Sequence, residues 1–265
     1  MIDLDRLLEE ALQIIRTTSK FIKAEVDQVS SGDIEEKELN SLVSYVDKEA
    51  ERQLVLGLRA LIPEAGFITE EDTIDQTGRE YTWIIDPLDG TTNFLHQVPH
   101  FAISVALQKN NQTIIGIVKE VNSGEEWTAI KNKGAHLNGK AINVSQKTFN
   151  SILVATGFPY SNTHDYDAYF NILKHWLTET RGMRRLGSAA LDLCYVACGR
   201  YGAYYETTLN AWDVAAGALI VQEAGGKVSD FSTGQDYLFG GEILASSPIV
   251  YDKVLQIIQS ILKHK

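Results

Sequence analysis

The fold of this chain is decided by a stretch at residues 83–94, which reads WIIDPLDGTTNF. Its three leading apolar residues are typical of a buried strand, which brings Asp86 to the strand end. Pro87 has no N–H to give to a strand ladder, so we expect the ladder to stop there. Asp89 follows three residues after Asp86, and Gly90 permits a tight turn with close backbone approach. The stretch therefore predicts a strand, a turn and a helix start that together carry two carboxylates.

This arrangement is typical of a site that binds a metal ion and a phosphate. Thr91 and Thr92 lie at the predicted helix start, where a hydroxyl can cap the helix and free N–H groups can face an anion. Carboxylate oxygens are the ligands that Mg²⁺ prefers, and it completes its shell with water and substrate phosphate. The residues alone leave a second interpretation open, namely an Asp-Pro turn followed by an ordinary capped helix.

Two other acidic groups extend the pattern along the chain. Glu70, Glu71 and Asp72 follow a short β-like run at residues 66–69. Asp213 lies at the start of a predicted helix that runs into a Gly-Gly pair. Each group has an alternative interpretation: a solvated acidic loop for the first, and a first-turn acid stabilised by the helix dipole for the second.

The hydrophobic pattern predicts an α/β chain of the α+β type, with helices packed on sheets. Two lobes are expected to share one cleft: residues 1–147, with two helices and a largely antiparallel sheet, and residues 148–265, where helix and strand alternate. Residues 29–39 are expected to form an exposed loop. Helices are expected near 3–24, 46–62, 165–180, 188–199, 211–224 and 248–262, and strands near 66–69, 81–85, 101–108, 113–121, 126–131, 151–156, 202–206, 226–229 and 242–245.

The amino-acid composition and net charge narrow the possible functions of the chain. The 265 residues include 35 acids against 24 Lys and Arg, a formal net charge of −11. A polyanion is repelled by such a chain, so we expect no nucleic-acid binding. No apolar run approaches the roughly 18 residues of a membrane span, and the acidic start lacks the features of a secretory signal, so we expect a cytoplasmic protein without a membrane anchor. Cys194 and Cys198 are expected to be buried free thiols.

Taken in order, these pieces resemble the inositol monophosphatase family of lithium-sensitive, magnesium-dependent phosphatases. The family pattern is an Asp, a Glu-Glu pair, Asp-Pro-hydrophobic-Asp-Gly-Thr/Ser, Trp-Asp, eleven residues and Gly-Gly. The matching residues are Asp47, Glu70-Glu71, Asp86-Pro87-Leu88-Asp89-Gly90-Thr91, Trp212-Asp213 and, after eleven residues, Gly225-Gly226. The resemblance implies a layered αβαβα sandwich, a homodimer and two to three Mg²⁺ ions in each active site.

The resemblance also implies a metal ligand set. Glu70, Asp86 and the backbone carbonyl of Leu88 would hold one Mg²⁺. Asp86, Asp89 and Asp213 would hold a second, and a more weakly held third ion would lie near Glu70. Paired metals of this kind can stabilise both the entering and the leaving oxygen of an in-line displacement.

Catalytic and substrate-side roles follow from the same resemblance. Thr91, aided by Glu70, would orient the attacking water, and Asp47 would support Thr91. The substrate-binding residues would be Asp89, Gly90, Thr91, Ala189, Glu206 and Asp213, with the backbone of Gly90 and Thr91 on the phosphate. The family usually carries a Lys on a loop before the Asp47 segment. Lys37 is nearby, with a spacing that looks one residue short.

The implied substrate is a small phosphomonoester, with inositol 1-phosphate as the leading candidate, because residues 91–94 and 100–104 resemble the inositol monophosphatase branch. Alternatives within the superfamily are a sugar phosphate, fructose 1,6-bisphosphate, NADP, histidinol phosphate or adenosine bisphosphate. An alternative of a different class is an inactive or moonlighting member that serves as a binding partner in a larger complex.

Overall fold

The computed structural model describes residues 2–29, 34–38, 41–71, 79–158 and 166–261. Within these ranges the chain forms seven α-helices and fourteen strands. The helices are α1 (Leu4–Glu25), α2 (Tyr45–Leu61), α3 (Thr91–Leu95), α4 (Tyr166–Glu179), α5 (Ala189–Ala197), α6 (Ala211–Glu223) and α7 (Pro248–Ile261). The strands are β1 (Ile34–Glu38), β2 (Ser41–Ser44), β3 (Gly66–Thr69), β4 (Tyr81–Asp89), β5 (Ala102–Lys109), β6 (Gln112–Glu120), β7 (Glu126–Ile130), β8 (Ala135–Leu137), β9 (Lys140–Ala141), β10 (Val154–Thr156), β11 (Met183–Arg184), β12 (Ala203–Thr207), β13 (Lys227–Ser229) and β14 (Glu242–Ser246).

A seven-stranded sheet of order β3-β4-β5-β6-β7-β8-β9 forms the larger of two mixed sheets. Strand β3 pairs in parallel with β4, and every later pair is antiparallel. The strands expected near 101–108 and 113–121 are confirmed as β5 and β6, which form an antiparallel hairpin. Its turn contains Asn110 and Asn111, both with positive φ, which is the backbone that a tight hairpin turn requires and that Asn tolerates.

Helices α1 and α2 cover one face of this sheet. Their apolar residues recur at helical spacing and pack with Trp83 and Ile85 of β4 and with Ile103 and Val105 of β5 in one buried cluster. Asp3 caps the start of α1 by accepting the N–H groups of residues 5 and 6. The period-3.6 pattern is therefore explained by one helix face that packs on the sheet.

Helices α5 and α6 lie between the two sheets. Nine of the 13 residues of α6 are buried, as expected for a helix enclosed on both sides. Small residues allow a close approach to the large sheet. A Cβ added at Gly116 of β6 would lie 2.7 Å from the carbonyl oxygen of Ala216. One continuous buried cluster joins β-strands of the first half to α5, α6 and β12 of the second half.

The second sheet has the order β11-β10-β12-β14-β13, with parallel pairs among the first three strands and antiparallel pairs at β12-β14 and β13-β14. Helices α4 and α7 pack on its outer face through Trp176, Tyr205 and Val254. The layers therefore follow the order helix, sheet, helix, sheet, helix. This confirms the expected α/β class and the αβαβα sandwich.

Two local predictions were wrong. The interval 29–39 contains strand β1, which pairs antiparallel with β2, although its polar sequence predicted a loop. Strand β4 does not stop at Pro87. Its pairing with β5 is interrupted after Asp86 and resumes at Asp89 with a shift in register. Pro87 has no N–H to donate, but a strand can continue past such a residue through a bulge when the pairs on either side hold it.

No helix in the described ranges is long and apolar enough to cross a membrane. Cys194 is buried and Cys198 is half-buried, and both are free thiols. The division into lobes at residues 147 and 148 stays a prediction.

Candidate active site

The site is built around the end of β4. The regular pairing of β4 with β5 is interrupted between Asp86 and Asp89. Both carboxylates therefore lie where the ladder between the two strands is broken. Both residues are buried, with 1% and 8% of their surface exposed. Gly90 follows with φ 95°, a conformation that favours glycine, and α3 begins at the next residue. Side-chain space is also restricted there, because a Cβ at Gly90 would lie 3.1 Å from the carbonyl oxygen of His100.

Strand β3 brings Glu70 beside Asp86. The parallel register pairs Thr69 with Ile85, so the residues that follow each of them lie next to each other. The charge of Glu70 contributes to raising the pKa of Asp86. Asp86 itself accepts a 2.9 Å hydrogen bond from the backbone N–H of Leu88 at Oδ1.

Asp213 reaches the same place from α6. The hydroxyl of Ser104 donates a 3.1 Å hydrogen bond to the carbonyl oxygen of Trp212, and Ser104 is the β5 residue paired with Asp86. The start of α6 is thereby attached to the sheet beside β4. The Oδ2 atom of Asp213 accepts the N–H of Asn210 at 2.6 Å in a capping box. The expectation of a first-turn acid is met, and the same carboxylate also faces the acidic cluster.

The three aspartates form a tight cluster. Carboxylate oxygens of Asp86, Asp89 and Asp213 all lie within 4.8 Å of one another. Burial and then the neighbouring charges of Glu70, Asp89 and Asp213 raise the pKa of Asp86 well above its ordinary value. Burial raises the pKa of Asp89 to about 6. Burial and the charge of Asp89 raise the pKa of Asp213.

This donor set fits a hard divalent cation. Like charges at such distances oppose joint ionisation in a buried site, and a cation between them removes that cost. All the available donors are oxygens, which suit Mg²⁺ better than the softer metals that select sulfur or imidazole ligands. The residues present therefore match the chemistry of magnesium.

Thr91 is joined to α2 by Asp47. The Thr91 hydroxyl lies 2.9 Å from Oδ1 of Asp47 and 3.0 Å from the carbonyl oxygen of Leu88. Asp47 is buried, and its Oδ2 accepts the N–H and the hydroxyl of Ser44 at 2.8 and 2.7 Å. The bond from the N–H of Ser44 is one half of the capping box of α2. No side chain caps α3, so the helix cap expected from a hydroxyl of Thr91 or Thr92 is not formed.

Asp89 is held by the start of α5. Its Oδ2 accepts the hydroxyl of Ser188 at 2.5 Å and the N–H of Ala190 at 2.8 Å, and its Oδ1 accepts the N–H of Ala189 at 3.3 Å. Helix N-termini stabilise negative charge through such free N–H groups. These bonds lower the pKa of Asp89 and oppose the effect of burial.

A cavity of ≈ 100 Å³ opens from this cluster toward the second sheet. Its lining includes Asp89 and Asp213 on one side and Ala189, Asp192 and Glu206 on the other. Tyr204 donates a 2.7 Å hydrogen bond to Oε2 of Glu206. A Cβ at Gly157 would overlap the Glu206 carboxylate, so the absence of a side chain there leaves room for this carboxylate in its present position. Burial raises the pKa of Glu206 to about 7.

The residues expected at the site are therefore brought together: Asp47, Glu70, Asp86, Leu88, Asp89, Gly90, Thr91, Ala189, Glu206 and Asp213 all surround the end of β4 or the adjoining cavity. Sequence reasoning missed Ser104, Ser188 and Asp192. Ser188 was accessible in part, since it stands at the start of the helix expected near 188–199, as a cap does. Lys37 belongs to β1, and its side chain lies outside the described residues, as does Asp72.

The chain is similar to known proteins along almost its whole length. The model of the inositol monophosphatase family matches residues 3–263. A Pseudomonas aeruginosa protein named Nus factor SuhB is 39% identical over 259 residues, which cover 96% of each chain. A solved IMPase from Thermotoga maritima superposes with a TM-score of 0.89, at 31% identity and 98% coverage of both chains. The inositol monophosphatase of Anabaena superposes with a TM-score of 0.86, also at 31% identity and 98% coverage of both chains.

Proposed function

Because this chain belongs to the inositol monophosphatase family, we propose that it is a Mg²⁺-dependent phosphomonoesterase that hydrolyses inositol 1-phosphate to inositol and phosphate. The observation that carries the proposal is the cluster of Asp86, Asp89 and Asp213, whose carboxylate oxygens lie within 4.8 Å of one another. A buried cluster of this kind suits a cation-dependent phosphatase, since phosphoryl transfer depends on positioning and charge neutralisation.

The proposed metal ligands are Asp86, Asp89 and Asp213, with Glu70 and the carbonyl oxygen of Leu88 on the side of β3. Bound Mg²⁺ would neutralise phosphate charge and promote the ionisation of the attacking water. Asp89 keeps its orientation through Ser188 and Ala190. Residues that hydrogen-bond to a metal ligand orient that ligand and contribute strongly to metal affinity.

Thr91 is proposed to position the nucleophilic water together with Glu70. In the proposed arrangement Thr91 donates its hydroxyl proton to Oδ1 of Asp47 at 2.9 Å, which leaves the carbonyl oxygen of Leu88 at 3.0 Å for the metal. A lone pair of the Thr91 hydroxyl oxygen is then available to accept a hydrogen bond from water. Asp47 is itself anchored by Ser44, so the pair is held before substrate arrives, as effective positioning requires.

The phosphate is proposed to contact the backbone N–H groups of Gly90 and Thr91, where the positive φ of Gly90 turns the chain. The polyol part of the substrate would then extend into the cavity toward Ala189 and Glu206. Lithium sensitivity, a homodimer and a third Mg²⁺ near Glu70 remain predictions of the family resemblance.

The test is phosphate release with and without Mg²⁺ from inositol 1-phosphate, fructose 1,6-bisphosphate, NADP and adenosine 3′,5′-bisphosphate. We expect magnesium-dependent release that is greatest with inositol 1-phosphate and absent in Asp213→Asn. A preference for another compound would retain the metal chemistry and change the substrate. Absence of release from all four compounds by folded protein would contradict the proposal.

A second function is favoured by the names of the relatives. Proteins that are 38 to 39% identical to this chain carry the name Nus factor, so a role as a protein partner in addition to catalysis is a specific alternative. The Asp213→Asn variant separates the two roles. It should lose turnover while keeping the surface on which a protein partner would depend.

A further inference from the structure

Asp192 is a buried carboxylic acid that neither the proposed metal set nor the proposed nucleophile uses. It lies in the first turn of α5 and is only 1% exposed. Its Oδ1 atom is buried and has no hydrogen-bond partner among the described residues. A buried polar group without a partner costs folding free energy, so its presence calls for an explanation outside folding.

The position of Asp192 on α5 directs it to the cavity. It follows Ala189 by three residues and Ser188 by four, and residues at these spacings share a helix face. Ser188 and Ala189 bind Asp89 on that face. Asp192 lines the same cavity one turn further along, beside Glu206.

The cavity wall at this point carries two carboxyl groups. The charge of Glu206 raises the pKa of Asp192 after the larger effect of burial, while the charge of Arg185 lowers it. One oxygen of Glu206 is held by the hydroxyl of Tyr204. Paired carboxyl groups offer several acceptors to hydroxyl donors.

We propose that Asp192 is a specificity-determining residue which, with Glu206, hydrogen-bonds the hydroxyl groups of an uncharged polyol leaving group. The assignment rests on the proposed phosphatase function and deepens it. A site built to bind a substrate hydroxyl discriminates strongly against compounds that lack it, since its buried polar atoms are then left unpaired.

The first test compares two substrates in two variants. Asp192→Leu removes hydrogen bonding with little change in size, and Asp192→Asn retains a carbonyl acceptor. With inositol 1-phosphate we expect Asp192→Leu to lower kcat/KM by about 10-fold, chiefly through KM, and Asp192→Asn to recover part of the loss. With p-nitrophenyl phosphate, whose leaving group has no hydroxyl beyond the ester oxygen, the change should stay below about twofold.

Leu191→Met is the matched control, because it alters a buried neighbour on α5 that does not line the cavity. It should leave kcat/KM unchanged for both inositol 1-phosphate and p-nitrophenyl phosphate. Equal losses on both substrates in Asp192→Leu would indicate a structural role and overturn the assignment, as would unchanged kinetics.

A binding measurement gives a readout that does not depend on turnover. Calorimetric titration with myo-inositol, in the presence of Mg²⁺ and inorganic phosphate, should show binding to the wild type and about 10-fold weaker binding to Asp192→Leu. Equal affinities, or no binding to the wild type, would overturn the inference. Failure of the wild type to hydrolyse any phosphomonoester would instead remove the proposed function, so the two failures are distinguishable.

Discussion

The hydroxyl of Ser188 donates a 2.5 Å hydrogen bond to Oδ2 of Asp89, a residue 99 positions earlier in the chain. The N–H of Ala190 donates to the same oxygen at 2.8 Å. A carboxylate from the end of β4 is thus oriented by the start of α5. The acidic cluster is therefore complete only when the two halves of the chain pack against each other.

Ser188→Ala should weaken magnesium binding. The change removes one of the groups that orient Asp89, and the loss of such a partner typically costs 10- to 100-fold in metal affinity. It also removes the cap of α5, since Ser188 accepts the N–H of Leu191 at 3.3 Å, at a cost of about 1 kcal/mol in stability. The measurement is the Mg²⁺ concentration for half-maximal activity.

The control for that experiment is Ser188→Thr, which keeps the hydroxyl and should keep most of the magnesium affinity. An unchanged magnesium requirement in Ser188→Ala would argue against the assignment of Asp89 as a ligand.

Asp213→Asn should lower kcat by about 1000-fold, because the loss of one carboxylate disrupts a charge stabilisation worth several kcal/mol. The fold should remain, and the metal-free variant should unfold at the same or a higher temperature, since a repelled charge is removed from the cluster. Phosphate release measures the loss in kcat, and thermal unfolding of the metal-free protein measures the change in stability. Asp252→Asn makes the same chemical change at an exposed position on α7 and should alter neither; near-wild-type turnover in Asp213→Asn would contradict the metal assignment.

Thr91→Val and Asp47→Asn should each reduce kcat by about 100-fold, the usual contribution of a group that handles a proton in the transition state. Because the two side chains are joined by a 2.9 Å hydrogen bond, the double variant should be little worse than either single one. Steady-state kinetics of the wild type, the two single variants and the double variant form a double-mutant cycle. Thr91→Ser keeps the hydroxyl and should stay within about 10-fold of the wild type, whereas fully multiplicative losses would show that the pair does not act as a unit.

Glu206→Gln should change the pH dependence of stability. Burial raises the pKa of Glu206 to about 7 in the folded protein, from an ordinary value of 4.5. As the pH rises the unfolded chain releases this proton first, so the contribution of the neutral carboxyl is present below pH 4.5 and is lost as the pH approaches 7. The uncharged Gln avoids that loss, which amounts to about 3 kcal/mol.

Urea unfolding of metal-free protein at pH 4 and pH 8 checks this expectation. The two proteins should be similarly stable at pH 4, and Glu206→Gln should be the more stable one at pH 8. A stability difference that is the same at both pH values would contradict the raised pKa.

Helices and strands with a strong period could be predicted because their pattern is local. The apolar residues of α1 recur on one face, and the β5–β6 hairpin is bounded by two Asn residues that tolerate its turn. Strand β1 could not be predicted, since its residues are polar and its formation depends on pairing with β2. The continuation of β4 past Pro87 likewise depends on pairs made with β5.

The candidate site likewise has some features that the sequence could predict and others that depend on tertiary contacts. The types and order of its acidic residues are a property of the sequence, because oxygen ligands and a glycine turn are chemical requirements that spacing alone can display. Ser104, Ser188 and Asp192 show no such pattern. Their importance comes from contacts with Trp212, Asp89 and the cavity wall.

The sequence by itself determined the family of this protein, the types and order of its acidic residues and its strongly periodic helices and strands, because each is encoded in residue types and short-range spacing. Only the tertiary structure decided how close these carboxylates lie, which atoms orient them and which buried acid keeps an oxygen without a hydrogen-bond partner among the described residues. The physical reason is that a charge separated by about 100 residues from its partner has no local signature. Its pKa and its role arise only when packing removes water and sets the distance.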